Sequence, residues 1–121
     1  MANILVVEDE PEMADILKLI LEGAGHSVSL AHNGSECISM VEKGRFDLIM
    51  MDIRMPKING WEALRKMKEG KLLNEAKIIM VTIEKGPGVE IFGLQDIVAD
   101  YITKPFDKDD LLRIVKNVLK K

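Results

Sequence analysis

Three apolar runs in this chain each stop abruptly at a polar residue. Ile4-Leu5-Val6-Val7 runs into Glu8-Asp9-Glu10, Leu48-Ile49-Met50-Met51 into Asp52, and Ile78-Ile79-Met80-Val81 into Thr82. Unbroken rather than alternating runs predict strands covered on both faces, as in a parallel sheet. Ser27 to Ala31 and Asp100 to Thr103 predict two more strands, the second followed by Lys104-Pro105. Between the strands the apolar spacing becomes helical. Met13, Ile16, Leu17, Ile20, Leu21 and Ala24 follow Pro11 and are closed off by Gly23 and Gly25. Asn33 with Glu36 predicts an N-cap and its reciprocal partner, opening a second helix that buries Cys37, Ile38 and Val41. After Pro56 and the turn pair Asn59-Gly60, a third helix carries Trp61, Leu64 and Met67 and ends at Gly70. Asp107 with Asp110 caps a final helix through Leu111, Val115, Val118 and Leu119. The fourth helical segment, 84–98, contains Gly86, Pro87, Gly88 and Gly93, which predicts a short helix ending near Gly93.

Five strands alternating with five helical segments predict a three-layer, flavodoxin-like (β/α)5 domain with strand order 2-1-3-4-5. In that order the first and third strands are neighbours whose connections leave to opposite faces, so a crevice opens at their carboxyl ends. Glu8, Asp9 and Asp52 fall in that crevice. Thr82 and Lys104 reach the same edge from the neighbouring strands.

Composition narrows the function classes. With 121 residues, 47% of them hydrophobic, the chain makes one domain, 1–121, with no room for an output domain. A net charge of -3 and no basic stripe argue against direct nucleic-acid binding. No apolar run approaches 18 residues and no basic leader precedes the first strand, which predicts no membrane insertion and a cytoplasmic protein. The single cysteine, Cys37, lies in an apolar helical pattern and is expected in the core. His26 and His32 flank the second strand, away from the crevice, and Met13, Met50, Met51, Met67 and Met80 sit at core positions.

The acid cluster carries the chemistry. Two carboxylates about 4 Å apart near a surface repel by roughly 4 kcal/mol at an effective dielectric of 20. A third adds to that, and Lys104 offsets one charge. Hard carboxylate oxygens beside a main-chain carbonyl suit Mg²⁺, which keeps several of its waters.

At this point Val6-Val7-Glu8-Asp9-Glu10, Met51-Asp52-Ile53-Arg54-Met55-Pro56 with Asn59-Gly60, Val81-Thr82 and Tyr101-Ile102-Thr103-Lys104-Pro105-Phe106 together resemble the receiver domain of two-component response regulators, of the single-domain, chemotaxis-protein-like kind. The resemblance covers nearly the whole chain. It implies that Asp52 is the phosphoacceptor, taking a phosphoryl group from a phosphohistidine of a histidine kinase. It implies Mg²⁺ held by Asp9, Asp52 and the main-chain carbonyl of Arg54, with Glu8 acting mainly through water. Lys104 would bind a phosphoryl oxygen, Thr82 would donate its hydroxyl to another, and Tyr101 would follow the threonine as the switch residue. The output surface would be the fourth helical segment, the fifth strand and the final helix, presented to a downstream protein partner by a monomer or weak dimer. A cis Lys104-Pro105 bond is also implied.

Two positions depart from the family pattern: Ile83 stands where a small residue is usual, and Ile97 where a glycine is. With Arg54 and Glu84, Ile83 is expected to form an access gate over the phosphoacceptor. Rival functions fit less well. A haloacid-dehalogenase-like phosphohydrolase wants a second Asp two residues after the first, where this chain has Arg54. A flavin-binding electron carrier wants a phosphate-binding first loop, where Glu8-Asp9-Glu10 would repel one. A receiver-like interaction module that is never phosphorylated is disfavoured because all five active-site positions are filled.

Overall fold

The computed structural model describes residues 2–55, 58–73, 75–83 and 97–120. In chain order the elements are β1 (Asn3–Val7), α1 (Pro11–Gly23), β2 (Ser27–Ala31), α2 (Gly34–Lys43), β3 (Leu48–Asp52), α3 (Gly60–Glu69), β4 (Lys77–Thr82), β5 (Asp100–Thr103) and a C-terminal helix α4 (Lys108–Leu119). The expected fourth helical segment, with Glu84, lies outside the described residues apart from its end at Ile97 and Val98.

All five strands pair in parallel in the order β2-β1-β3-β4-β5. Side chains alternate across each strand, and each side of the sheet buries its own set. Leu5, Val7, Ile49, Met51, Ile78 and Met80 pack under Cys37 and Val41 of α2 and Trp61, Leu64 and Met67 of α3. Ile4, Val6, Leu48, Met50, Ile79, Val81 and Ile102 pack under Leu17 and Leu21 of α1 and Leu111, Val115 and Val118 of α4. Both cores use continuous apolar strands, which is why the runs carry no polar interruptions until their carboxyl ends.

The helix ends differ in detail from the sequence expectations. Asn33 accepts from the Glu36 amide at 2.8 Å. The reciprocal half is absent, because the Glu36 carboxylate accepts from the backbone amide and Nδ1 of His32 instead. A complete capping box forms at Asn59 and Glu62, so Asn59-Gly60 is the start of α3 rather than a free-standing turn. Asp107 caps α4 through the Asp109 amide, and Asp110 faces Arg113. On α1, Ile16 is 47% exposed and Ala14 is buried. Ala14, Leu17 and Leu21 make the buried face of α1.

Candidate functional site

Each chemistry-bearing residue stands at or just beyond the carboxyl end of a strand. β1 delivers Glu8 and Asp9, β3 delivers Asp52, β4 delivers Thr82 and β5 delivers Lys104. The register makes this an edge rather than a scatter, since Val7 lies beside Met51, Asp52 beside Val81 and Thr82 beside Thr103. Main-chain bonds fasten the loops above it. The Glu8 amide donates to the Ala31 carbonyl at 3.0 Å, the Ile53 amide to the Val81 carbonyl at 3.0 Å and the Lys104 amide to the Thr82 carbonyl at 2.6 Å. The Lys104-Pro105 peptide is cis.

Carboxylate oxygens of Glu8, Asp9 and Asp52 all lie within 4.8 Å of one another. Glu8 and Asp52 are the buried charged residues among those described. Lys104 reaches between them, its Nζ donating to Glu8 Oε1 and Asp52 Oδ2 at 3.0 Å each. The second Asp52 oxygen accepts from the Arg54 amide at 3.1 Å, so the carboxylate is held from both ends. Glu8 Oε2 accepts from the Glu10 amide at 3.2 Å. Buried side-chain polar atoms among the described residues all have partners.

The electrostatics follow from burial. Removal from water pushes the Glu8 carboxyl from 4.5 up to about 7, against the pull of Lys104, with the charge of Asp52 adding to the rise. Burial works to lower Lys104, but its bonds to Glu8 and Asp52 outweigh that and raise it. The cluster therefore holds more negative charge than its one ammonium offsets, and the donors are the hard oxygens a small divalent cation takes.

The response regulator receiver domain family matches residues 4–116. The chain belongs to that family. PilH of Pseudomonas aeruginosa is 34% identical over 119 residues, covering 98% of this chain and 98% of that one. The uncharacterized transcriptional regulatory protein YkoG of Bacillus subtilis is also 34% identical, over 98% of this receiver and 51% of its own length. The chain thus spans about half the length of several curated relatives and nearly all of PilH. Among solved structures, the receiver domain of the sensor histidine kinase PA1611 from Pseudomonas aeruginosa superposes with a TM-score of 0.87 at 30% identity, covering 99% of this receiver and 98% of that chain. That crystal structure has a magnesium ion coordinated in its active-site cleft.

The receiver brings Glu8, Asp9, Asp52 and Lys104 together, with Thr82 at the same edge. Tyr101 is half-buried and faces Trp61, the ring centroids 6.3 Å apart and the planes at 55°. Ile83 is 54% exposed and Arg54 is also exposed. Glu84, the gate's third member, falls outside the described residues. His26 stays clear of the crevice, accepting from the Ala2 amide. Cys37 is fully buried, and burial raises its thiol to about 12, so it is core. Among the described residues no helix is long and apolar enough to cross a membrane. Sequence reasoning missed the bond from Lys104 to Glu8 and the contact of Gly60 with the site. A glycine in the first turn of a helix, where a better helix former is expected, was the available signal.

Proposed function

We propose that Asp52 is the residue that accepts the phosphoryl group, from a phosphohistidine of a histidine kinase, and that the resulting aspartyl phosphate switches the surface offered to a downstream protein. The observation that carries this is the convergence of three carboxylates within 4.8 Å, one of them held from both ends by Lys104 and the Arg54 amide. An oriented carboxylate oxygen attacks phosphorus, and the electrons of the breaking P–N bond go to the imidazole nitrogen. Phosphoryl transfer asks chiefly for positioning and charge neutralisation. Lys104, kept protonated by its carboxylate partners, shifts onto a phosphoryl oxygen. Thr82 supplies a hydroxyl to another oxygen.

The donor set of Glu8, Asp9 and Asp52 fits Mg²⁺, with the Arg54 carbonyl as a further ligand and Glu8 acting through water. Bound there, the metal would neutralise charge on the acceptor and the phosphoryl oxygens together. Ile83, Arg54 and Glu84 form the access gate that limits attacking water.

Movement of Thr82 is read out at Tyr101 and passed to the output surface of the fourth helical segment, β5 and α4. A cavity of about 350 Å³ between β5 and α4, lined by Tyr101, Pro105, Phe106 and Ile114 among others, supports a docking role for this face. The protein would act in the cytoplasm as a monomer or weak dimer.

Incubation with Mg²⁺ and acetyl phosphate, followed by intact-mass measurement, tests the proposal. One added phosphoryl group is expected on wild type and none on Asp52→Asn. Equal labelling of both would place the acceptor elsewhere.

A further inference from the structure

Gly60 opens α3 with a helical backbone, so a left-handed conformation is not what calls for glycine there. Space is. A Cβ at Gly60 would lie 2.6 Å from the carbonyl oxygen of Asp52, 3.0 Å from Ile53 Cα and 3.0 Å from Met80 Cε. Ordinary contact begins at 3.4 Å, so Asp52 or the helix would have to give by about 0.8 Å. The Gly60 amide also donates to the Ile53 carbonyl at 2.8 Å. The first turn of α3 therefore presses directly on the peptide that carries the phosphoacceptor, and the capping box of Asn59 and Glu62 holds that turn in place.

We infer that Gly60 is a positioning residue for phosphoryl transfer: the missing side chain lets α3 set where the Asp52 carboxylate and the Arg54 carbonyl stand relative to Lys104. This rests on Asp52 being the acceptor. The structure also supplies a control. A Cβ at Gly34 would meet Ala63 Cβ at 3.2 Å and Ile58 Cβ at 3.3 Å, a tight contact with side chains of the opposing segment and none with Asp52. Gly34→Ala presses on the α3 segment only through the side chains of Ala63 and Ile58, at 3.2 and 3.3 Å, while Gly60→Ala meets the acceptor peptide itself at 2.6 Å.

The experiment follows phosphorylation by acetyl phosphate at saturating Mg²⁺ for wild type, Gly60→Ala, Gly34→Ala and Gly60→Ala/Met80→Val, with thermal melts alongside. A misplacement of ~1 Å can cost on the order of 100-fold in rate, so Gly60→Ala should be slowed about tenfold or more. Gly34→Ala should phosphorylate within about twofold of wild type even where its melting point falls. Removing the Met80 contact should leave the double variant slow, because the clash with the Asp52 carbonyl remains. Gly60→Ala at the wild-type rate, or full rescue by Met80→Val, overturns the inference. A wild-type chain that takes no phosphoryl group overturns the acceptor role of Asp52 and the positioning claim with it. Should Gly60→Ala fail to fold, amide NMR of the wild type during Mg²⁺ titration decides. The Gly60 amide should shift together with that of Arg54 while Gly34 stays still, and a silent Gly60 beside a responding Arg54 refutes the coupling.

Discussion

Replacing Glu8 by glutamine should stabilise the metal-free protein at alkaline pH and leave it almost unchanged at acid pH. The two bonds of Glu8, from Lys104 and from the Glu10 amide, end on different oxygens, so the glutamine carbonyl keeps one of them while its NH2 stands in for the O–H of the protonated acid. The variant thus mimics the neutral form of Glu8 with the charge removed. In the folded state the Glu8 carboxyl titrates at about 7 against an ordinary 4.5, raised mainly by burial. Between those values the folded chain keeps a proton that the unfolded chain has lost. Stability from this group is complete below pH 4.5 and disappears as pH rises through 7. At ~1.4 kcal/mol per pH unit the loss is on the order of 3 kcal/mol, a large share of a small domain's total. His26, held below its usual value by burial, slopes the opposite way and loses stability as pH falls. It contributes equally to both proteins, so the difference between them isolates Glu8. Urea unfolding in EDTA from pH 4 to 8.5 should give a gap near zero at the acid end. At the alkaline end the variant should be more stable by about 3 kcal/mol, or roughly 10 °C in melting temperature. Saturating Mg²⁺ should narrow or reverse the alkaline gap, since a ligand selective for the folded state stabilises by mass action. A gap that does not change with pH, or a variant less stable than wild type at pH 8.5, would refute the burial argument.

Three further outcomes are expected. Asp9→Asn should raise the metal-free melting temperature by a few degrees, on the order of 1 kcal/mol of relieved repulsion, and abolish the rise with Mg²⁺, as calorimetry would show. Asn59→Ala should lower stability by about 1 kcal/mol in urea titrations, because it removes the cap of α3. Ile83→Ala, Arg54→Ala and Glu84→Ala should each speed decay of the phosphoprotein. For the charged pair the effect is bounded by the ~1 kcal/mol of an exposed ion pair, ~5-fold in rate, and three decay curves that match wild type would dispose of the gate.

The strand order and the acid cluster were legible because the three inner strands of a parallel sheet, β1, β3 and β4, are buried on both faces and carry unbroken apolar runs that stop at polar residues only at their carboxyl ends. Glu8, Asp9, Asp52 and Thr82 announced themselves by interrupting otherwise apolar runs. What escaped was set by distance in space rather than by local pattern. Helical spacing placed Ile16 on the apolar face of α1, yet the helix is turned so that Ala14, with Leu17 and Leu21, takes the inner place and Ile16 stays 47% exposed. Spacing alone could not tell that His32 would take the carboxylate of Glu36 from Asn33, or that Asn59 and Glu62 would complete the box instead. Lys104 was expected to offset one charge. Its shared hold on Glu8 and Asp52 joins residues 96 and 52 positions apart, and only the folded edge brings them together.

The placement of Trp61 gives the molecule an optical gauge. It is the single tryptophan of the chain, almost wholly buried, and follows Gly60 on the turn that presses on Asp52. Its ring faces Tyr101 on the outermost strand of the sheet. Excitation at the red edge of the indole band selects this one residue, with no label added. Its emission thus senses the first turn of α3 on one side and the far edge of the sheet on the other, so one chromophore watches both ends of the proposed switch.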